Sequence, residues 1–345
     1  MAGSGPATDL CRNENRVRYL LRKILFYIVA FCAAITINFA LPRLLPGNPV
    51  DVMLAKLAQR GQVAPETREA IEAMLGTTDD ASLLSQFGDY LVNIFRGDLG
   101  VSVTFFPTPV VTVIGQALPW TILLVGIATV ISFVIAQLLG MLAGWKRGGW
   151  LDSLIPTSTV LQAVPYFWLA LILSYVFAVT LGFFPISGGY DYRTVSAGWS
   201  WEFLASAVKY GTLPALTIVI SSLGAGLVGM RNMMVSTMAE DYVVTAEAKG
   251  LRPRRIMTMY AGRNAILPSV AGFGIALGAV VGGSILTEQV FSYPGIGQTL
   301  LQSVQNNDYA LMQGVFLIIT TSVLLTNFFV DVVYGLIDPR TRHQG

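Results

Sequence analysis

The sequence predicts an all-α membrane protein of six transmembrane helices, with a small helical external cap between helices 1 and 2. Three observations predict it. Only 12% of the 345 residues are charged and 54% are hydrophobic, whereas a soluble domain carries roughly 25% charged residues. The apolar residues gather into six runs, each close to or beyond the roughly 20 residues a helix needs to cross the hydrocarbon core. Lysine and arginine fall mainly on one side of those runs, as expected when they set orientation.

The N-terminal tail, 1–23, contains Arg12, Arg16, Arg18, Arg22 and Lys23 and leads into the first run, 24–41. A secretory signal begins similarly, but this run is longer than a usual apolar signal core. It also ends in Pro42-Arg43 without a small-residue cleavage site, so it reads as a retained helix. The remaining runs, 117–145, 154–184, 212–235, 266–286 and 309–337, form a five-helix core over 117–337, followed by a tail, 338–345. Pro165, Gly224, Gly226, Gly278, Gly282 and Gly283 lie within the runs. Bundles tolerate such residues because neighbours satisfy the freed backbone groups and small side chains let helices approach closely.

Fifteen of the 22 basic residues lie on one side: the N-terminal tail, Lys146, Arg147, Arg231, Lys249, Arg252, Arg254, Arg255, Arg263, Arg340 and Arg342. The other seven are Arg43, Lys56, Arg60, Arg68, Arg96, Arg193 and Lys209. The richer side is expected to be cytoplasmic, with both termini there. The largest external segment, 42–116, has helical spacing at 51–58, 65–75 and 83–95, and its acids outnumber its bases. It reads as a folded cap with a solvated face. The next external loop, 183–209, carries Phe183, Phe184, Tyr190, Tyr192, Trp199, Trp201 and Phe203. Two explanations compete there: an aromatic belt at the membrane interface, or a binding surface for a partner, a sugar-like ligand or a peptide.

Catalytic chemistry is absent from the sequence. No G-x-x-x-x-G-K-[ST], G-x-S-x-G or H-E-x-x-H occurs. Ile186-Ser187-Gly188-Gly189-Tyr190 superficially echoes a nucleotide-site signature but lies externally and reads as a turn. Cys11 and Cys32 are placed too differently to pair, and a lone His343 gives no histidine-based metal site. A net charge of +2 offers no case for nucleic acid. Ionisable groups inside membranes are costly and usually functional; Glu288 and Asp331 stand out, each near the end of a run. Glu288 is the candidate pathway residue, able to meet a solute amine or polar group, with a hydrogen-bonded carboxylate serving assembly as the alternative. The third and fifth runs are the expected pathway.

The stretch 240–268 is the most informative. Asp241 to Lys249 forms a good helix, with an acid at its positive end and helix-favouring Ala246 and Ala248. Gly250 stands where a C-terminal capping glycine belongs, and Pro253 can open a second helix. The result is a corner of two short helices. Small residues at Ala246, Ala248 and Gly250 leave it open to another protein's backbone. An ordinary basic cytoplasmic loop is the competing reading.

This stretch resembles the EAA loop of ATP-binding cassette (ABC) importer permeases. More narrowly, Asp241-Tyr242, Thr245-Ala246, Ala248-Lys249-Gly250-Leu251, Arg263-Asn264-Ala265 and Leu267-Pro268 resemble the dipeptide/oligopeptide/nickel permease family. Val244 stands where the general motif has its leading Glu, and Leu-Pro follows the glycine at a longer spacing, as in that subfamily. Leu45-Pro46-Gly47-Asn48-Pro49, Gly97-Asp98-Leu99-Gly100-Val101-Ser102, Phe291-Ser292-Tyr293-Pro294-Gly295-Ile296-Gly297 and Asp308-Tyr309 extend the similarity over nearly everything after Arg18.

The resemblance implies an ABC type I importer permease fold in a bacterial or archaeal cytoplasmic (inner) membrane. The chain would form half of a pore for peptides, with oligosaccharides or, less favourably, nickel as alternatives. Implied partners are a second homologous permease subunit, two cytoplasmic ABC ATPase subunits, an extracytoplasmic solute-binding protein and the lipid bilayer. ATP and Mg would be used by the ATPases, with no cofactor bound here. The loop 236–265 would couple to the ATPases through Asp241, Tyr242, Thr245, Ala246, Ala248, Lys249, Gly250, Leu251, Arg263 and Asn264. A stand-alone channel or secondary transporter, and a membrane scaffold, are the competing classes.

Overall fold

The computed structural model describes residues 6–44, 49–58, 68, 71, 82–282 and 284–337. Among them every regular element is a helix, and strand-like pairing is confined to an isolated bridge between Val101 and Pro109. Among the described residues four helices are long and apolar enough to cross a membrane, with spans at Leu21–Leu41, Val110–Trp145, Trp201–Met238 and Tyr309–Val332. They correspond to the expected first, second, fourth and sixth runs. The second and fourth start well before the apolar run does, because a helix continues past the membrane surface wherever its backbone bonds do.

The third and fifth runs are not single helices. The third splits into Ile155–Ala163 and Tyr166–Leu173, the latter continuing as a π turn over Ser174–Thr180. Pro165 sits at the break, since its ring disfavours helix at the preceding residue and removes a donor. The apolar stretch Tyr166–Thr180 would extend only about 22 Å at helical rise. The fifth begins at a bend: Leu267–Gly282 follows Pro253–Ala265 of the preceding loop, and the two pass together as one span although bent by 48°. Pro268, in the first turn after the bend, lacks the amide that would continue the preceding helix.

The chain divides into two compact units, one of Met1–Val111 with Ser303–Gly345 and one of Thr112–Gln302. In the first, Pro6–Leu44 packs beside Tyr309–Ile337. Polar contacts tie this pair at both ends. Lys23 Nζ lies 2.5 Å from Asp331 Oδ2, which also accepts from the Tyr27 hydroxyl at 2.8 Å. Towards the other end, Asn38 Nδ2 donates to the Gln313 carbonyl at 2.8 Å and to the Tyr90 hydroxyl at 3.0 Å. Asp331 thus has the partners that an ionisable group near apolar surroundings requires.

The segment expected to form the cap contains helices Pro49–Ala58 and Leu83–Arg96, the second capped by Ser82, whose hydroxyl accepts from the Ser85 amide. The expected helix at 65–75 lies largely outside the described residues, although Arg68 and Ile71 are helical. The motif at 45–49 also lies almost wholly outside them. Asp308, fully buried, joins the 97–102 motif to the last helix. Its Oδ2 accepts from Ser102 Oγ at 2.5 Å and the Thr104 amide at 2.8 Å, while Oδ1 accepts from the Leu311 amide.

In the second unit the helices Val110–Trp145 and Trp201–Met238 meet through small residues. A Cβ built on Gly140 would lie 2.7 Å from the Leu227 carbonyl oxygen, and one on Gly144 would lie 2.7 Å from Met234 Cβ. One on Gly226 would lie 2.8 Å from Ala136 Cβ. Lipid is as apolar as leucine, so close backbone packing of this kind is a main source of helix association in membranes.

Candidate functional site

The 236–265 loop starts where Trp201–Met238 ends. Glu240 has the extended conformation of an N-cap, and Asp241 opens the helix Asp241–Ala248 at its positive end. The helix stops at Gly250, whose φ of +71° is the left-handed conformation glycine adopts without penalty. The Gly250 amide donates to the Glu247 carbonyl at 2.8 Å and the Leu251 amide to the Ala246 carbonyl at 3.3 Å. That pair of bonds is a Schellman closure. Pro253 then takes the first position of Pro253–Arg255, with extended Arg252 before it. A π turn, Ile256–Gly262, carries the chain to Arg263–Ala265.

The helix has one inward edge. Val243 and Ala246, three residues apart, are buried with Met230, Met234, Ile256, Ala261 and Ala265. Met141, Met233, Met238, Met257, Trp145 and Tyr260 surround them. Methionine's flexible, polarisable side chain fills such irregular space readily. Asp241, Tyr242, Thr245, Ala248, Lys249, Gly250, Arg263 and Asn264 are exposed, and Leu251 is half-buried against the methionine cluster. Ala246 is only 2% exposed, so it mounts the helix on its own spans, while Ala248 and Gly250 lie on the open side.

Residues not singled out from the sequence support this mount. Arg231 donates through Nε to Asp152 Oδ1 at 3.0 Å, joining Trp150–Ser153 to the end of Trp201–Met238. The Arg231 hydrogen bond, with the Gly148 amide second, holds the Asp152 carboxyl below its ordinary value, against the opposing effect of burial. Gly140 and Gly144 are the other omission. Their four-residue spacing within an apolar run was the available signal.

Glu288 lies elsewhere in the same unit and is fully buried. Its Oε1 accepts from Thr121 Oγ1 at 2.9 Å, and its Oε2 accepts from the Gly297 and Gln298 amides at 2.8 and 3.2 Å. The aromatic loop divides in two. Tyr190 stacks on Trp120 with ring centroids 6.0 Å apart, and Phe203 and Tyr293 meet the same indole edge-on. Phe183, Tyr192, Trp199 and Trp201 remain exposed, Trp199 almost completely. The Ile186–Tyr190 stretch is a packed turn: the Gly188 amide donates to the Phe291 carbonyl at 2.9 Å, and Gly189 lies against Pro294. Among the described residues no cluster of His, Cys, Asp and Glu could hold a metal ion.

Comparison with known proteins adds an independent line. The family described as "Binding-protein-dependent transport system inner membrane component" matches residues 136–343. The di/tripeptide transport system permease protein DppB of Pseudomonas aeruginosa is 34% identical over 340 residues, covering 94% of this chain and 99% of the relative. The dipeptide transport system permease protein DppB of Escherichia coli K12 is 30% identical over 345 residues, with 95% and 99% covered. The protein of the same name from Alkalihalophilus pseudofirmus is 29% identical over 342 residues, with 94% and 99% covered.

Proposed function

We propose, for a chain that belongs to the dipeptide family of ABC importer permeases, that it forms half of the translocation pore of an ATP-driven peptide importer. The observation that carries this reading is the exposed face of Asp241–Ala248 and Gly250, presented on a base of its own methionine-rich helices. A face carrying Asp241, Tyr242, Thr245, Ala248 and Lys249 beside an unobstructed glycine corner suits a groove on an ATPase subunit. Force applied there reaches the spans through the buried edge at Val243 and Ala246 and through the bent Pro253–Gly282 run. Peptide as solute is supported by the names of the relatives above.

In the complete importer this chain pairs with a second homologous permease. Two cytoplasmic ATPases hydrolyse ATP with Mg, and an external binding protein delivers solute. The chain crosses the inner membrane six times with both termini cytoplasmic, the broken third and fifth runs each counting as a span, and it carries the cap outside. Exposed Trp199 and Trp201 on an external loop favour one second reading, an oligosaccharide solute stacking on aromatic rings. Reconstitution tests the proposal. The assembled complex in liposomes should accumulate di- and tripeptides only with ATP, whereas the chain alone should not. Uptake by the chain alone would overturn the importer reading, and ATP-driven uptake of oligosaccharides but not peptides would replace the solute.

A further inference from the structure

The Phe291–Gly297 motif and Glu288 form one device. Three amides at the start of Ile296–Gln305 would otherwise lack partners, as helix N-termini do. All three are satisfied from elsewhere. The Ile296 amide donates to Thr121 Oγ1 at 2.8 Å, and the Gly297 and Gln298 amides donate to Glu288 Oε2. The Thr121 hydroxyl in turn donates to Glu288 Oε1, so one carboxyl group and one hydroxyl close a single hydrogen-bonded network. The two residues are 167 positions apart in sequence. Glu288 comes from Ile285–Val290, just beyond the fifth run, and Thr121 from the second run's helix.

The glycines of this motif make the approach possible. A Cβ on Gly295 would strike the Glu288 carboxylate and Thr121 Oγ1, and one on Gly297 would lie 2.7 Å from Ile285 Cα. The turn between is closed by the Tyr293 amide donating to the Glu288 carbonyl at 2.8 Å. The loop between the third and fourth runs joins through Gly188 and Gly189, which contact Phe291 and Pro294. Phe291 itself is buried with Ala170, Ala178 and Leu213.

The geometry points to Glu288 as a positioning residue for transport. Its carboxylate ties the ends of the second and fifth runs and the first turn of Ile296–Gln305 into one block, which moves as a unit when the pore alternates access. This rests on the reading of the chain as half of an importer pore. Both carboxylate oxygens are occupied by the chain's own donors and the side chain is closed to solvent, so the group acts through the helices it holds. A carboxyl group offers two acceptor oxygens here where the amide of glutamine offers one, so glutamine leaves one set of donors without its partner.

The test uses the assembled complex in liposomes. Hydrogen exchange at the amides of residues 296–298 is measured alongside uptake of neutral, acidic and basic dipeptides and stimulation of the ATPase by the binding protein. Glu288→Gln and Thr121→Val should each raise exchange there at least tenfold and lower Vmax for all three solutes alike, with KM unchanged. Thr121→Ser, which keeps the hydroxyl, should behave as wild type. If Glu288→Gln fails to assemble, Thr121→Val carries the test. Unchanged exchange in both variants overturns the anchor. A KM change that depends on solute charge, with exchange intact, returns Glu288 to the pathway. Faster exchange with full transport reduces the network to local folding and overturns its transport role. Should the wild type take up no dipeptide, the solute assignment fails, and exchange with ATPase stimulation still tests the anchor.

Discussion

Replacing Gly144 by alanine tests the close contact on which the 240–268 corner stands. The new methyl carbon would lie 2.7 Å from Met234 Cβ and 2.9 Å from the Arg231 carbonyl oxygen. Carbon atoms in favourable contact sit about 3.5–4.0 Å apart, so the two helices must separate locally by roughly 0.8 Å or more. A backbone carbonyl cannot rotate aside as a side-chain tip can. Overpacking of this kind costs about 1–3 kcal/mol, offset by roughly 1 kcal/mol of better helix propensity. The net expectation is destabilisation by up to about 2 kcal/mol. Gly115 lies on the same helix with nothing within 4 Å of a built Cβ, so Gly115→Ala should stabilise by about 0.5–1 kcal/mol. Thermal unfolding of the detergent-solubilised complex should therefore move the two midpoints in opposite directions. Equal shifts of the same sign would refute the close-packing account.

Two further perturbations separate roles that the sequence left together. Ala246→Leu should drive a larger side chain into the methionine cluster and destabilise the loop by about 1–3 kcal/mol. Ala248→Leu, on the exposed face, should leave stability within about 0.5 kcal/mol yet abolish co-purification with the ATPase; retention of the ATPase would sink the proposed docking face. The Asp152–Arg231 contact gives a pH signature. The Asp152 carboxyl is held below its ordinary value of 3.8 by Arg231 and the Gly148 amide. The contribution is therefore complete above that value and is lost as pH falls through the lower folded-state value. The midpoint difference between wild type and Asp152→Asn should shrink on acidification below about pH 4, and a difference that stays constant across that range would contradict it.

The spans at 24–41, 117–145, 212–235 and 309–337 were legible because hydropathy along a line is enough to mark a helix that must cross a bilayer. The breaks in the other two were only partly so. Pro165 announced the first and Pro268 stands beside the 48° bend before Leu267, but the π turn at Ser174–Thr180 has no comparable local signature. In the 236–265 loop Gly250 and Pro253 foretell the corner, since each acts on the backbone at its own position. Which edge of Asp241–Ala248 faces inward is not legible from its small residues: Ala246 matches Ala248 in size, yet it lies over Met230 and Met234. Glu288 is visible in the sequence only as a charge near a span. Its partners were hidden because they come from Thr121 and from amides nine and ten residues further along.

The sequence by itself determined that this protein is helical, membrane-spanning and turned through a two-helix corner at Gly250 and Pro253. Each of these follows from composition, from the length of apolar runs or from a glycine and a proline acting locally. Tertiary structure alone decided which small residues bring helices together, which alanine of the corner is covered, and what holds the Glu288 carboxylate. Those outcomes depend on groups distant in sequence meeting at contact distance, and a buried carboxylate reveals its role only through the donors that reach it.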